Sequence, residues 1–153
     1  MRGYQLANRD KSRLTPALED YLEMAYRLCV EKDYARIVQL SALLNVKPSS
    51  ASKMISKLAE AGYLKYDRYE IIQLTEKGRA AGKFLLKRHK TVEAFLAVIG
   101  SGNPLEETEL IKHTLSPATV ADLDIFNQFF AENPDIAEKF IAYRVSAALK
   151  NEK

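Results

Sequence analysis

The spacing of apolar residues changes character along the first half of the chain. Apolar positions three or four apart predict a first helix over residues 16–31, a short second helix over 37–44 and a third over 48–60. Residues 63–75 are rich in tyrosine and β-branched residues and predict two short strands with a turn at 67–68. This order of helices and hairpin is that of a winged helix-turn-helix, so the first half is predicted to bind DNA.

The second half is predicted to be helical. A long helix is expected over residues 76–99, and residues 100–104, with the sequence GSGNP, form the clearest loop in the chain. Three further helices are expected over about 105–114, 117–131 and 134–150, the last two beginning at prolines. An apolar stripe rich in aromatic residues is interpreted as core or as a subunit interface. Its members are Val120, Leu123, Ile125, Phe126, Phe129 and Phe130.

The predicted fold class is mainly α, with an N-terminal winged helix-turn-helix and a second, α-helical domain. We place the first domain over residues 14–75 and the second over 76–153, after a basic N-terminal arm at 1–13. No apolar run of 18 residues or more predicts a membrane span, and the first residues lack the apolar stretch of a signal peptide. The single cysteine, Cys29, excludes an internal disulfide, fits a reducing cytosol and is expected to be a buried structural thiol.

Charge is distributed unevenly along the chain. Residues 1–90 contain 18 Lys and Arg against 10 Asp and Glu, whereas residues 91–153 contain 5 against 10. This asymmetry favours binding of the first part to a polyanion and a different function for the second part. Ordinary surface charge explains the same numbers equally well, so the asymmetry alone does not decide between the two.

The third helix carries most of the candidate DNA-binding groups. Small hydroxyl residues at its start allow close approach to bases and phosphates, and its N-terminus offers free backbone N–H groups to a phosphate. Two lysines one turn apart would follow the DNA backbone, and basic and tyrosine side chains of the hairpin could touch a groove. The candidates are Arg36, Ser49, Ser50, Ser52, Lys53, Lys57, Lys65, Tyr66 and Arg68. The alternative, a helical domain with a solvated basic face, does not account for the strand pattern directly after the helix pair.

One set of residues has the chemistry of a divalent-metal site. Asp20 and Glu23 are three apart on the first helix, Glu109 and His113 are four apart on a later one, and His89 lies on the long helix. Oxygen and nitrogen ligands without a thiolate suit Mn(II), Fe(II), Co(II) or Zn(II), and the carboxylate majority favours Mn(II) or Fe(II). Each residue taken alone is also compatible with a solvated helix surface. A metallo-hydrolase could use the same residues, but the chain has no nucleophile motif or phosphate loop, and the basic half would have no role.

Five segments together resemble the diphtheria-toxin-repressor family, and its manganese-transport-regulator branch most closely. They are LTPALEDYLEMAYRL, YARIVQLSALLNVKPSSASKMISKL, YLKYDRYEIIQLTEKGR, KRHKTVEAFL and ELIKHTLS. The resemblance implies a cytoplasmic, homodimeric, metal-activated repressor of manganese- or iron-uptake genes, with a helical dimerisation domain and a roughly palindromic operator. It implies no membrane partner, no small organic substrate and, at this length, no SH3-like third domain.

The resemblance also implies a ligand set and a mechanism. The family's ligands fall on Asp20, Glu23, His89, Glu109 and His113, the set already chosen by its chemistry. A divalent metal bound there, between the DNA-binding and dimerisation domains, would favour one placement of the two recognition helices across a dimer. The coupling would be a population shift, since metal favours operator binding only if it binds the DNA-competent arrangement better.

One position departs from the family. The branch has another carboxylate three residues after Glu109 that helps to hold a pair of neighbouring metal ions, and this chain has Lys112, which cannot ligate a metal while protonated. We expect one metal site to remain and the second to be lost. Three alternatives remain open. In the first, the Lys112 ammonium takes the place of a cation among the carboxylates, and in the second, Lys112 points to solvent while water completes the coordination shell of the metal. In the third alternative, Lys112 is simply an exposed helix residue. An alternative function is a winged-helix regulator with a degenerate site and a weak, altered or absent metal response.

Overall fold

The computed structural model describes residues 13–151, so the predicted basic arm lies almost entirely outside the described residues. The described chain contains seven α-helices, three short strands and one 3₁₀ turn. In chain order they are α1 (Pro16–Lys32), β1 (Ala35–Arg36), α2 (Ile37–Leu43), α3 (Pro48–Glu60), β2 (Leu64–Tyr66), β3 (Ile71–Leu74), α4 (Glu76–Ile99), α5 (Pro104–Ile111), the 3₁₀ turn (Lys112–Thr114), α6 (Pro117–Glu132) and α7 (Pro134–Asn151). The mainly α fold class with a winged helix-turn-helix is confirmed.

The chain forms two compact units, and the division between them falls inside α4. The first unit ends at Leu86 and the second begins at Lys87. The domain boundary expected from the sequence, at residue 76, stays a prediction. Within the described residues, no helix is both long enough and apolar enough to span a membrane.

Local signals explain where α1 begins and ends. The Thr15 hydroxyl accepts a hydrogen bond from the backbone N–H of Leu18 at 3.3 Å, and Pro16 occupies the first helical position, where its missing N–H costs nothing. Asp33 then adopts a left-handed conformation, with φ of 61°, and ends the helix. The bounds of α1 therefore agree with the sequence prediction to within one residue.

The strands of the first unit form one antiparallel sheet in the order β1-β3-β2. Leu64 pairs with Leu74 across the hairpin, and Ala35 pairs with Ile72 on the other side of β3. The pattern of the sequence predicted the hairpin and missed β1. A strand of two residues has no periodicity of its own, and only its pairing with β3 defines it.

The core of the first unit lies between its helices and this sheet. Cys29 is completely buried within it, and burial raises the pKa of the thiol to about 11. The expectation of a structural thiol therefore agrees with its surroundings. The buried residues of this core are Leu22, Ala25, Cys29, Ala35, Ile37, Leu40, Ala51, Ile55, Leu58, Leu64, Ile72 and Leu85.

The start of α4 approaches the backbone that follows α3. A Cβ atom added at Gly78 would lie 1.8 Å from the carbonyl oxygen of Tyr63, far inside van der Waals contact. We expect Gly78→Ala to lower the free energy of unfolding by about 1–3 kcal/mol, because the clash outweighs the usual gain of about 1 kcal/mol from alanine in a helix. Urea denaturation followed by circular dichroism measures the change. Gly102→Ala is the control, since no atom lies within 4 Å of its added Cβ, and a stability gain in Gly78→Ala would contradict the prediction.

The second unit is held together by contacts between α4, α6 and α7. The Asn127 side chain donates to the backbone carbonyl of Thr91 at 3.0 Å, which links α6 to α4. Phe126 packs edge-on against Phe95 of α4, with ring centroids 5.4 Å apart. The predicted apolar stripe of α6 is therefore partly core, although Phe129 of the same stripe is exposed.

Candidate metal centre and nucleic-acid interface

Two of the predicted ligands, Asp20 and Glu23, lie on α1 in the first unit. Glu23 is only 5% exposed and Asp20 is half-buried, and Arg27 donates to the Glu23 carboxylate at 2.8 Å. Glu19, one residue before Asp20, is also buried, and the sequence did not single it out. Carboxylates are rarely buried unless a cation or a hydrogen bond holds them, so the solvated-surface alternative does not apply to Glu23.

His89 lies on α4 in the second unit, between two carboxylates. Its Nε2 atom is 3.2 Å from Glu93 Oε2, and its Nδ1 atom is 3.1 Å from Glu109 Oε1. Glu93 is one helical turn further along α4, whereas Glu109 comes from α5. The histidine itself is 5% exposed.

The contact between His89 and Glu109 fits a metal ion. Although the two atoms are close, Nδ1 is buried without a hydrogen-bond partner among the described residues. Two ligand atoms held by one ion at about 2.1 Å and at right angles lie about 3 Å apart, which is the separation observed here. A nitrogen and a carboxylate oxygen are also ligands that Mn(II), Fe(II) and Zn(II) accept.

His113 meets a different neighbour in the 3₁₀ turn. Its Nδ1 atom is 3.3 Å from a guanidinium nitrogen of Arg88, and both residues are buried. A guanidinium can only donate, so Nδ1 accepts in this contact and the neutral ring carries its proton on Nε2. Ligation through Nε2 would therefore require that proton to leave and the contact with Arg88 to change.

Lys112 opens the same 3₁₀ turn and is 1% exposed. Its Nζ atom is 2.8 Å from Glu109 Oε2. Partial burial raises the pKa of the Glu109 carboxyl, but the hydrogen bond and the charge of Lys112 outweigh it, and the pKa lies below its usual value. The two alternatives in which Lys112 points to solvent or is an exposed helix residue are therefore wrong, because the ammonium is bound to a carboxylate.

The full ligand set predicted from the sequence stays a prediction. In residues 13–151, no three His, Cys, Asp or Glu side chains lie close enough together to hold a metal ion. Within the second unit, His89 and Glu109 are brought together and His113 is turned toward Arg88. Sequence reasoning missed Glu93, which could have been found by its spacing of four residues from His89 on one helix.

The candidate nucleic-acid interface lies on α3 in the first unit. Ser49 and Ser50 are exposed in its first turn, where backbone N–H groups are unpaired within the helix, and Lys53 and Lys57 are exposed one turn apart. The opposite face of α3 enters the core. Its outer face is therefore free to approach a polyanion.

The hairpin continues this basic surface. Lys65 is exposed on β2, and Arg36 is exposed at the end of β1. Arg68 stacks over the ring of Tyr69 at 4.8 Å and donates to its hydroxyl, which stiffens the hairpin tip.

Two of the residues predicted to contact DNA, Ser52 and Tyr66, also connect parts of the first unit, and their role in DNA binding stays a prediction. The hydroxyl groups of Ser52 and Tyr66 are 2.9 Å apart and form a hydrogen bond between α3 and β2. This bond holds the recognition helix and the hairpin in one arrangement.

Comparison with known proteins places the chain in a family. Residues 13–71 match the profile described as "Iron dependent repressor, N-terminal DNA binding domain", and residues 75–141 match "Iron dependent repressor, metal binding and dimerisation domain". The chain is 40% identical over 130 residues to the HTH-type transcriptional regulator MntR of Lysinibacillus sphaericus, covering 84% of this chain and 94% of the relative. It is 39% identical over 140 residues to the MntR of Listeria welshimeri, covering 90% and 99%.

Solved structures agree with this placement. The manganese regulator SloR superposes with a TM-score of 0.63 and 29% identity, covering 76% of this chain and 55% of that one. The metal-dependent transcriptional regulator MtsR superposes with a TM-score of 0.65 and 26% identity, covering 76% and 55%. This chain therefore spans about half the length of those two structures.

The chain belongs to the iron-dependent repressor family. It is a metal-dependent DNA-binding transcriptional regulator, and not an enzyme, with an N-terminal DNA-binding domain and a C-terminal domain for metal binding and dimerisation. The resemblance inferred from the sequence is thus confirmed.

Proposed function

We propose that this regulator represses manganese- or iron-uptake genes in the cytoplasm, and that Mn(II) is its preferred effector. The observation that carries the proposal is the contact between Nδ1 of the buried His89 and the Glu109 carboxylate at 3.1 Å, within the region matched to metal binding. The carboxylate-rich donor set, without a thiolate, favours Mn(II) or Fe(II) over softer ions. Co(II) and Zn(II) would bind the same donors.

The proposed ligands are Asp20 and Glu23 from the first unit and His89, Glu109 and His113 from the second. A bound divalent ion would supply the positive charge that neutralises these carboxylates. Ligands drawn from both units would make the affinity for the metal depend on the arrangement of the units, so metal would favour the arrangement in which all ligands are available. That arrangement is proposed to be the one that binds the operator.

The DNA-binding role would belong to the outer face of α3 and to the hairpin. Four exposed residues of α3 would contact phosphates and base edges: Ser49, Ser50, Lys53 and Lys57. Arg36, Lys65 and Arg68 would reach the flanking DNA backbone. Ser52 and Tyr66 would act through the hydrogen bond between them. Two recognition helices in a two-fold dimer imply a roughly palindromic operator.

The dimer surface is proposed to include the outer faces of α6 and α7. Large apolar side chains are exposed there, as expected for surfaces that a second copy covers. They are Ile125, Phe129, Ile141, Val145 and Leu149.

The proposal is tested by selecting operator sequences from a randomised duplex pool in the presence of Mn(II). The dissociation constant for a selected duplex is then measured with Mn(II), Fe(II), Co(II), Zn(II) or EDTA. We expect an inverted-repeat sequence and at least about tenfold tighter binding with Mn(II) than with EDTA, which corresponds to a coupling of about 1.4 kcal/mol. Equal affinity with every metal and with EDTA would overturn the proposal.

Glu93 is expected to position His89 for ligation. A carboxylate beside Nε2 holds the ring proton on that nitrogen and leaves the Nδ1 lone pair for a metal ion. We expect Glu93→Gln to weaken Mn(II) binding by about 10-fold, the lower end of the effect of such supporting residues, and Glu93→Ala to weaken it further. Isothermal titration calorimetry measures both. The neighbouring exposed residue gives the control Ala94→Ser, and unchanged affinity in Glu93→Ala would refute the role.

A further inference from the structure

Lys112 is a buried cation in a domain that binds cations. Removing an ammonium from water is strongly destabilising unless a counterion and hydrogen bonds compensate. At 1% exposure, Lys112 meets that requirement in part through the Glu109 carboxylate at 2.8 Å, three residues earlier in the chain. The lysine is therefore a fixed charge inside the second unit and not a solvated surface group.

The Glu109 carboxylate uses its two oxygens in different directions. Oε1 faces His89 Nδ1 at 3.1 Å, and Oε2 faces Lys112 Nζ at 2.8 Å. A carboxylate that bridges two metal ions needs one oxygen for each. In Glu109 the oxygen that would serve a second ion is already bound to an ammonium, and only the oxygen toward His89 faces another donor.

We propose that the Lys112 ammonium is a built-in cation that takes the place of a second divalent ion, so that each chain binds one divalent ion. This inference rests on the proposed function, because it assumes that Glu109 belongs to the metal site. It also explains how a lysine can be tolerated among metal ligands: it balances a carboxylate and does not act as a failed ligand.

The charges of Glu109 and Lys112 support the same number. The carboxylate and the ammonium cancel one another, so this pair in the second unit carries no net charge. With glutamate in place of Lys112 the two carboxylates would carry a charge of −2, which one further divalent ion would neutralise, and two like charges so close together repel.

The test is the number of Mn(II) ions bound per chain, measured by equilibrium dialysis with metal analysis. We expect one ion in the wild type and two in Lys112→Glu. Lys112→Met, which keeps the length and removes the charge, should still bind one ion, about tenfold tighter or more because a neighbouring positive charge is lost. Lys139→Glu on the exposed surface of α7 is the matched control and should bind one.

The possible outcomes distinguish failure of this inference from failure of the proposed function. Two ions in the wild type, or one in a folded Lys112→Glu, would overturn the built-in cation and leave the metal-responsive regulator intact. No ion in the wild type would overturn the proposed function itself. If Lys112→Glu fails to fold, the inference is tested by the number of Mn(II) ions bound to the wild type and by the Mn(II) affinity of Lys112→Met. Weaker Mn(II) binding in Lys112→Met than in the wild type would contradict the inference.

Discussion

Replacing His89 with alanine should abolish metal-dependent operator binding. The imidazole is buried, and its Nδ1 faces the Glu109 carboxylate. Alanine removes this nitrogen ligand and leaves the Glu93 and Glu109 carboxylates without the imidazole between them. We expect Mn(II) affinity to fall by about 100-fold or more, because loss of a supporting residue alone costs 10–100-fold. Affinity for the selected duplex in Mn(II) should then fall to the value measured in EDTA, as the linkage between the two sites requires.

The control for this variant is Lys90→Ala. Lys90 is the next residue on α4 and is exposed, so its removal changes the same stretch of helix without touching the proposed ligands. Calorimetry reports metal affinity, fluorescence anisotropy reports DNA binding, and circular dichroism confirms that both variants are folded. If Mn(II) increased the DNA affinity of His89→Ala over that in EDTA as much as it does for the wild type, His89 would not be part of the metal sensor.

Removing Lys53 and Lys57 together should weaken DNA binding at every metal concentration. Both side chains are exposed one turn apart on the outer face of α3, where they would neutralise phosphates and release counterions. We expect affinity to fall by about 10- to 100-fold at low salt. The slope of log affinity against log salt should become less negative by about 2, about one for each lost phosphate contact.

The matched control for this double variant is Lys139→Ala with Lys150→Ala. It removes the same charge from α7, at exposed positions that the proposal does not assign to DNA. Mn(II) binding should be unchanged in both double variants, because neither alters a proposed ligand. An unchanged salt slope in Lys53→Ala/Lys57→Ala would mean that α3 does not carry the phosphate contacts.

The two predictions act on different units of the chain, and their combination tests the coupling between them. A variant without the sensor should keep its salt-dependent, non-specific affinity for DNA. A variant without the lysines should keep its metal affinity. If either change removed both properties in a folded protein, the division into a DNA-binding and a metal-binding part would need revision.

Most of the secondary structure could be predicted from the chain itself. Thr15 and Pro16 mark the start of α1, Gly62 adopts a φ of 83° two residues after the end of α3, and tyrosine and β-branched residues mark the hairpin. These signals are local, because caps, prolines and periodicity act within one or two turns of the backbone. The strand β1 was missed because its identity depends on pairing with residues 35 and 37 positions further along the chain.

The candidate site was predicted less completely, for a related reason. Residue chemistry and the family resemblance identify His89 and Glu109, and spacing places each on a helix, but spacing does not give the distance between helices. The contact of Glu93 with His89 lies on one helix and was within reach of sequence reasoning. The contact of Arg88 with His113 joins groups 25 residues apart and was not.

Lys112 shows the division most clearly. The family resemblance implied a carboxylate at this position, and the sequence has a positively charged lysine there, but the sequence left the direction of its side chain open. Tertiary packing removes that freedom: the lysine is buried and its ammonium binds Glu109. The local sequence determines the order of the helices, the hairpin and the types of donor atom. The neighbour that a side chain contacts depends instead on how distant segments pack. The direction of a long, flexible side chain such as that of lysine is therefore determined by tertiary packing alone.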